Sequence, residues 1–150
     1  MPFVELFAPK GSLEGQRRAY VTQRLAAEVM AAEGAPDSAA ARAISWLVAT
    51  EPDAWFVGGE AVSGEELPRY LVRVSVPGGS MDDAKRADMV ERVTRVLADA
   101  DASDDPQRLY REPVAWVHVV EIPDGNWGAF GQVVRLEDIV RYASGAVPAG

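Results

Sequence analysis

Apolar and polar side chains alternate at the two-residue period of a strand where the chain begins. In PFVELFA, Val4, Leu6 and Ala8 fall on one face. The pattern predicts a strand over residues 2–8. A proline has no backbone N–H, so Pro2 suits the first position of such a strand. A helical period then takes over. Leu25, Val29 and Ala32 form an apolar stripe, Ser12 stands where an N-cap is expected with Glu14 behind it, and Gly34 supplies a stop. A second strand is expected near residues 43–50. The helical crossover between the two strands makes their pairing parallel.

The same succession of patterns then repeats. FVELFAPKGSLEGQRRA and LVRVSVPGGSMDDAKRA align without a gap from Phe3 and Leu71, an offset of 68 residues. Ser80 is the expected second N-cap, with Asp82 and Asp83 in the first turn, and Met89, Val93, Val96 and Leu97 form the second stripe. DADASDDPQ ends that helix, and another strand is expected near residues 114–120. SWLVATEPDAWFVGGEAV aligns with AWVHVVEIPDGNWGAFGQVV if the second copy takes two extra residues, matching Trp46 to Trp116, Trp55 to Trp127 and Gly59 to Gly131. Two copies are too few for a solenoid, so a pseudo-symmetric pair is the expectation. The fold class is α/β: two fused β-α-β units with a pseudo-twofold inside one domain spanning residues 1–150. Repeat one covers about 2–62 and repeat two about 70–134; LEDIVRYA reads as a short C-terminal helix over 136–143, and SGAVPAG as a frayed tail.

Composition narrows the chemistry. A chain of 150 residues is the size of one domain with a self-sufficient core. There is no cysteine, which excludes disulfides, a thiolate nucleophile and a zinc–thiolate site. A lone histidine, His118, does not make a histidine metal cluster, so no metal is expected. The net charge of −8 argues against a nucleic-acid partner and leaves any acidic substrate to be held by local groups. No apolar run approaches the roughly 20 residues of a membrane span, and the start does not read as a signal peptide. The expectation is a cytoplasmic protein with no membrane contact.

Candidate chemistry begins at Pro2. With Met1 removed, its nitrogen is a secondary amine, and apolar walls would favour the neutral form. A neutral amine can take a proton from beside a carbonyl, or attack the carbonyl to form an iminium. Sequence leaves both uses open. In VPGGSMDD, Gly79 and Ser80 either bind an anion through backbone and hydroxyl donors or shape and cap a strand-to-helix turn. His118 alternates with Trp116 and Val120, either as a proton donor or as a packed strand residue. Arg73 holds the position equivalent to Glu5; a cross-strand ion pair between them stands ahead of substrate binding. Trp46, Trp55 and Trp116 are expected at an interface or in the core.

MPFVEL, EPDAWFVGG and EIPDGNWG, carried on a repeated β-α-β unit, resemble the tautomerase superfamily, with a layout similar to the homologues of cis-3-chloroacrylic acid dehalogenase. The resemblance implies that Pro2 is the catalytic proline, that His118 falls on an active-site tyrosine position, and that Trp127 lies beside the site. It implies a homotrimer of fused units with no cofactor. Ser12, Ser80 and Pro77 stand where relatives carry anion-binding arginines, and Ala129 where the dehalogenases carry a glutamate. Tyr70 replaces the proline in the second copy, so one competent site per chain is expected. The expected function is a cofactor-free tautomerase of a small keto or enol carboxylic acid, with Pro2 as base and His118, Gly79, Ser80, Trp127 and Arg73 as substrate-binding candidates. The alternatives are a proline-dependent decarboxylase or hydratase, and a non-enzymatic trimeric binding protein.

Overall fold

A computed structural model describes residues 1–146. Strand β1 (Phe3–Phe7) leads through helix α1 (Gly15–Glu33) and the short α2 (Ala39–Ala43) to β2 (Trp46–Thr50), followed by the small hairpin β3 (Phe56–Val57) and β4 (Glu60–Ala61). The second unit repeats the order: β5 (Tyr70–Pro77), α3 (Asp83–Ala100), α4 (Arg108–Arg111), β6 (Ala115–Ile122), then the hairpin β7 (Trp127–Ala129) and β8 (Gln132–Val134). Helix α5 (Leu136–Ala143) closes the order over the span expected from LEDIVRYA. Of the expected frayed tail, residues 147–150 lie outside the described residues.

The four main strands lie in the order β2-β1-β5-β6, with β1 parallel to β2, β5 parallel to β6, and β1 antiparallel to β5. The pseudo-twofold is visible in the register. Glu5 faces Arg73, while Phe3 pairs Ser75 and Phe7 pairs Leu71, so the axis passes through the Glu5–Arg73 pair. Phe3 opposite Trp46 and Leu71 opposite Trp116 then repeat each other.

Both long helices cover one face of the sheet. Val4 and Leu6 from β1 and Val72, Val74 and Val76 from β5 are buried against Val21, Leu25 and Val29 of α1 and Met89, Val93 and Leu97 of α3. Fully burying a side chain of this size stabilises by about 1.5–3 kcal/mol, so this layer dominates the fold. The opposite face carries Phe3, Glu5, Phe7, Arg73 and His118 and is not covered by the chain itself. Trp46 and Trp116, 68% and 61% exposed, stand on this open face instead of in the core. Among the described residues no helix is long and apolar enough to cross a membrane.

Three local expectations are corrected. Ser12 and Ser80 do not cap their helices: each hydroxyl turns back and donates to a carbonyl three residues earlier, Pro9 and Pro77. The N-caps lie two residues further on, at Glu14 and Asp82, and the Asp82 carboxylate accepts from the Lys85 N–H at 2.8 Å. The second strand begins at Trp46 and not near residue 43: Ala43 is instead the last residue of α2, a short helix that Ser38 caps by accepting from the Ala41 N–H. Helix α4 follows DADASDDPQ where no helix was expected.

Candidate functional site

The start of β1, the β7–β8 hairpin and α5 enclose a cavity of about 920 Å³. Pro2 lies in its wall and is fully buried, and its carbonyl accepts from the Trp46 N–H at 3.1 Å. Trp46 and Trp127 add two broad apolar surfaces, Phe130 and Tyr142 a third, and Ser75 a hydroxyl. Met1 lies at the rim. Its ammonium pairs with the Glu33 carboxylate at 3.0 Å, and that carboxylate side chain is only 6% exposed. With Met1 attached, the Pro2 nitrogen is an amide.

Two features shape the remaining wall. In the β7–β8 hairpin the two turn residues are Phe130 (φ 57°) and Gly131 (φ 73°), both left-handed as a tight type I′-like turn requires. Phenylalanine is disfavoured there, yet the strained position puts its ring 5.8 Å from that of Tyr142. The equivalent β3–β4 turn uses Gly58 and Gly59, so no ring projects from it. Helix α5 is held by Asp124, which accepts from the Leu136 N–H at 2.9 Å and from Arg135 at 3.2 Å. Those two donors, the backbone N–H foremost, hold the Asp124 carboxyl below the usual carboxylate range. At the other end the Ser38 hydroxyl donates to the Ala143 carbonyl at 2.6 Å, and Ala143 packs with Met30 and Ala41. The exposed turn of α5 thus presents Asp138, Arg141 and Tyr142 to the cavity.

Of the six candidate site residues, Pro2 and Trp127 line this cavity, and His118, Gly79, Ser80 and Arg73 do not; Trp46 and Ala129, which were given no substrate role, line it as well. His118 is exposed on the open sheet face, opposite Arg73 in register. Arg73 is engaged by Glu5 at 3.5 Å, the ion pair weighed above. The turn before α3 uses its donors internally: the Gly78 N–H donates to the Ile122 carbonyl at 2.6 Å and Ser80 N–H to Pro77 at 3.3 Å. A β-carbon on Gly78 would stand 2.8 Å from that same Ile122 oxygen, so the glycine is there for the close approach of β6. Sequence reasoning missed Trp46, Phe130, Asp138, Arg141 and Tyr142. For Trp46 a signal existed, since position 46 follows Pro2 across the first parallel pair.

The equivalent place in the second unit is filled. Tyr70, at the Pro2 position, donates its hydroxyl to Asp101 at 2.8 Å. Asp101 stands at the position of Glu33 under the same 68-residue offset. Arg108 adds two bonds to Asp101, at 3.0 and 2.8 Å, and one to the Pro68 carbonyl at 2.6 Å. Burial first, and then the bond to Asp101, push the Tyr70 phenol well above its ordinary range. Among the described residues no cluster of three or more His, Cys, Asp or Glu side chains is placed to hold a metal ion.

The doubled β-α-β fold has solved counterparts. Pt0534, determined after inactivation by 2-oxo-3-pentynoate, superposes with a TM-score of 0.68 at 16% identity, covering 87% of this chain and 94% of that one. The F6 fused 4-OT, an asymmetric trimer, gives 0.68 at 20% identity, covering 87% and 94%. N1, a member of the cis-3-chloroacrylic acid dehalogenase family, gives 0.65 at 21%, covering 88% and 82%. No family model matches the sequence, and a comparison with curated proteins gives no match. The chain has the tautomerase superfamily fold.

Proposed function

We propose that this chain is a cofactor-free cytoplasmic tautomerase of small keto or enol acids, with the Pro2 amine as general base once Met1 is removed. What supports it is the placement of Pro2, fully buried in the wall of a 920 Å³ cavity whose other walls are mainly aromatic and aliphatic. Such walls disfavour the ammonium form of the freed amine and leave it able to accept a proton. A 2-oxo acid seated there would lose a C3 proton to Pro2, pass through its enolate, and regain a proton from the same nitrogen at another atom. The neighbour inactivated by a 2-oxo acid, 2-oxo-3-pentynoate, fits this substrate class.

The functional unit is a homotrimer in this reading. The exposed face with Trp46, Val48, Trp116 and Val120 is the apolar surface that partner chains would cover, and the F6 fused 4-OT is a trimer. Native mass spectrometry should give three chains.

The test is proton exchange at carbon. Chains shown by intact mass to lack Met1 are incubated with 4-methyl-2-oxopentanoate in D₂O, and deuterium at C3 is followed by NMR. Catalysed exchange is expected, with a loss of about 100-fold or more in Pro2→Ala and in chains that retain Met1. Carbon dioxide release instead of exchange would point to a decarboxylase. Binding without exchange would leave a trimeric binding protein.

A further inference from the structure

We propose that Arg141, on the C-terminal helix, binds the carboxylate of the substrate, and that the cavity therefore selects monocarboxylates with an apolar substituent. This rests on the reading of the Pro2 cavity as the substrate site.

Among the described residues lining the cavity, the charged side chains are Asp138 and Arg141. Asp138 is already committed: its Oδ2 accepts from the Arg135 N–H at 3.0 Å, closing the capping box of α5. Its Oδ1 reaches the Arg141 guanidinium only at 3.5 Å, a long contact. A guanidinium has five N–H donors in a fork that matches a carboxylate, so most of this capacity is open to a ligand. The chain bears a net charge of −8, so an anion gains nothing from the overall field and must be met by a local cation.

Helix α5 gives that cation a fixed place. Ile139 and Ala143 are buried on one side, Asp124 holds the first turn and Ser38 the last. Trp46, Trp127 and Phe130 leave the rest of the cavity apolar. A substrate with one carboxylate can set it on Arg141 and lay its other end against the rings. A second carboxylate would meet apolar walls or Asp138, at the cost of its hydration. The geometry thus fixes both the polarity and the charge count of the ligand.

The experiment is calorimetric titration of the full chain with 4-methyl-2-oxopentanoate, its methyl ester, and the dicarboxylate 2-oxopentanedioate. The wild type should bind the monocarboxylate about tenfold or more tighter than either of the other two. Arg141→Gln should lose the preference over the ester while leaving ester binding unchanged, and Arg141→Lys should keep part of it. Neither change removes a buried side chain, so a circular dichroism spectrum like that of the wild type is expected. Equal binding of acid and ester by the wild type, an unchanged preference in Arg141→Gln, tighter binding of the dicarboxylate, or no saturable binding would each overturn the proposal. Pro2→Ala separates it from the catalytic reading. Kept binding with lost exchange supports both, whereas kept exchange at the wild-type rate removes Pro2 as base and leaves the Arg141 result standing.

Discussion

Replacing Arg108 by methionine removes a cation whose side chain is 4% exposed and whose partner carboxylate, Asp101, is 2% exposed. Methionine roughly keeps the length and apolar volume, so the change falls mainly on charge and hydrogen bonds. Asp101 would keep only the Tyr70 hydroxyl, and the Pro68 carbonyl would lose the guanidinium donor at 2.6 Å. Leaving a buried charge without its partner costs about 3–5 kcal/mol. The lost carbonyl bond belongs to the same cluster and is not added on top. For a domain of this size each kcal/mol moves the melting temperature by about 2–4 °C, so a fall of about 6–20 °C is expected.

The double variant Arg108→Met with Asp101→Asn is the control. An asparagine needs no counter-charge and its oxygen still accepts from Tyr70, so most of the loss should be recovered. Urea unfolding of the four members of the cycle, with the slope checked for constancy, measures this directly. A cost below about 1 kcal/mol for Arg108→Met, or a double variant as destabilised as the sum of the single ones, would refute the reasoning.

Tyr70→Phe carries a pH signature. The unfolded phenol ionises near 10.0 while the folded one is held protonated above that value, so the unfolded state binds fewer protons and wild-type stability falls as pH rises past 10. The advantage of the wild type over Tyr70→Phe should shrink by about 1.4 kcal/mol per pH unit there; a gap constant from about pH 9 to 11.5 would contradict it. Phe130→Gly relieves a left-handed residue worth about 1–2 kcal/mol but loses ring packing worth about 0.5–1.5 kcal/mol. Stability measured by thermal melting should therefore change little, while calorimetry shows weaker binding of 4-methyl-2-oxopentanoate; unchanged binding would mean the ring is not part of the site. Glu33→Gln, in chains without Met1, withdraws a buried negative charge from beside the start of β1. The pH at which C3 exchange switches on should move down, and an upward or absent shift in the pH–rate profile would exclude Glu33 as a group acting on Pro2.

The parts of the fold that repeat in sequence were legible because each unit must bury the same stripe. Leu25 and Val29 of one helix and Met89 and Val93 of the other are fully buried, as their spacing requires. The ungapped offset placed Glu5 opposite Arg73, and the register agrees. What escaped was set by contacts far apart in the chain. LEDIVRYA showed its helical period, but its docking depends on Ser38 meeting Ala143, 105 residues away, and on Asp124 meeting Leu136. The second wall of the cavity was hidden for that reason. Ser12 and Ser80 looked like caps because a hydroxyl before a helix usually turns forward; here the preceding prolines offer nearer carbonyls. Phe130 gave no signal at all, since an aromatic residue before glycine does not announce a left-handed backbone.

A doubled fold that opens a cavity beside Pro2 but fills the equivalent place at Tyr70 needs its two halves to differ at matching places, and three such differences act together. Glu33 and Asp101 are equivalent acids at the ends of the two long helices. The second finds Arg108 and Tyr70 within the chain and is sealed by them. The first finds no cation on its own short helix, where Arg42 is paired with Asp37, and faces the amino end of the chain instead. The hairpins differ next, glycine at 58 against phenylalanine at 130, so only the second carries a ring at its turn. Helix α5 supplies the third difference: it follows the second unit but packs on α2 of the first, with Ala143 against Met30 and Ala41. Each unit therefore gives the other what it lacks, the first its buried proline and acid, the second its aromatic hairpin and the helix with Arg141. Exchanging Phe130 for Gly or removing Arg141 undoes one contribution without touching the sheet, which is why those changes should separate binding from folding.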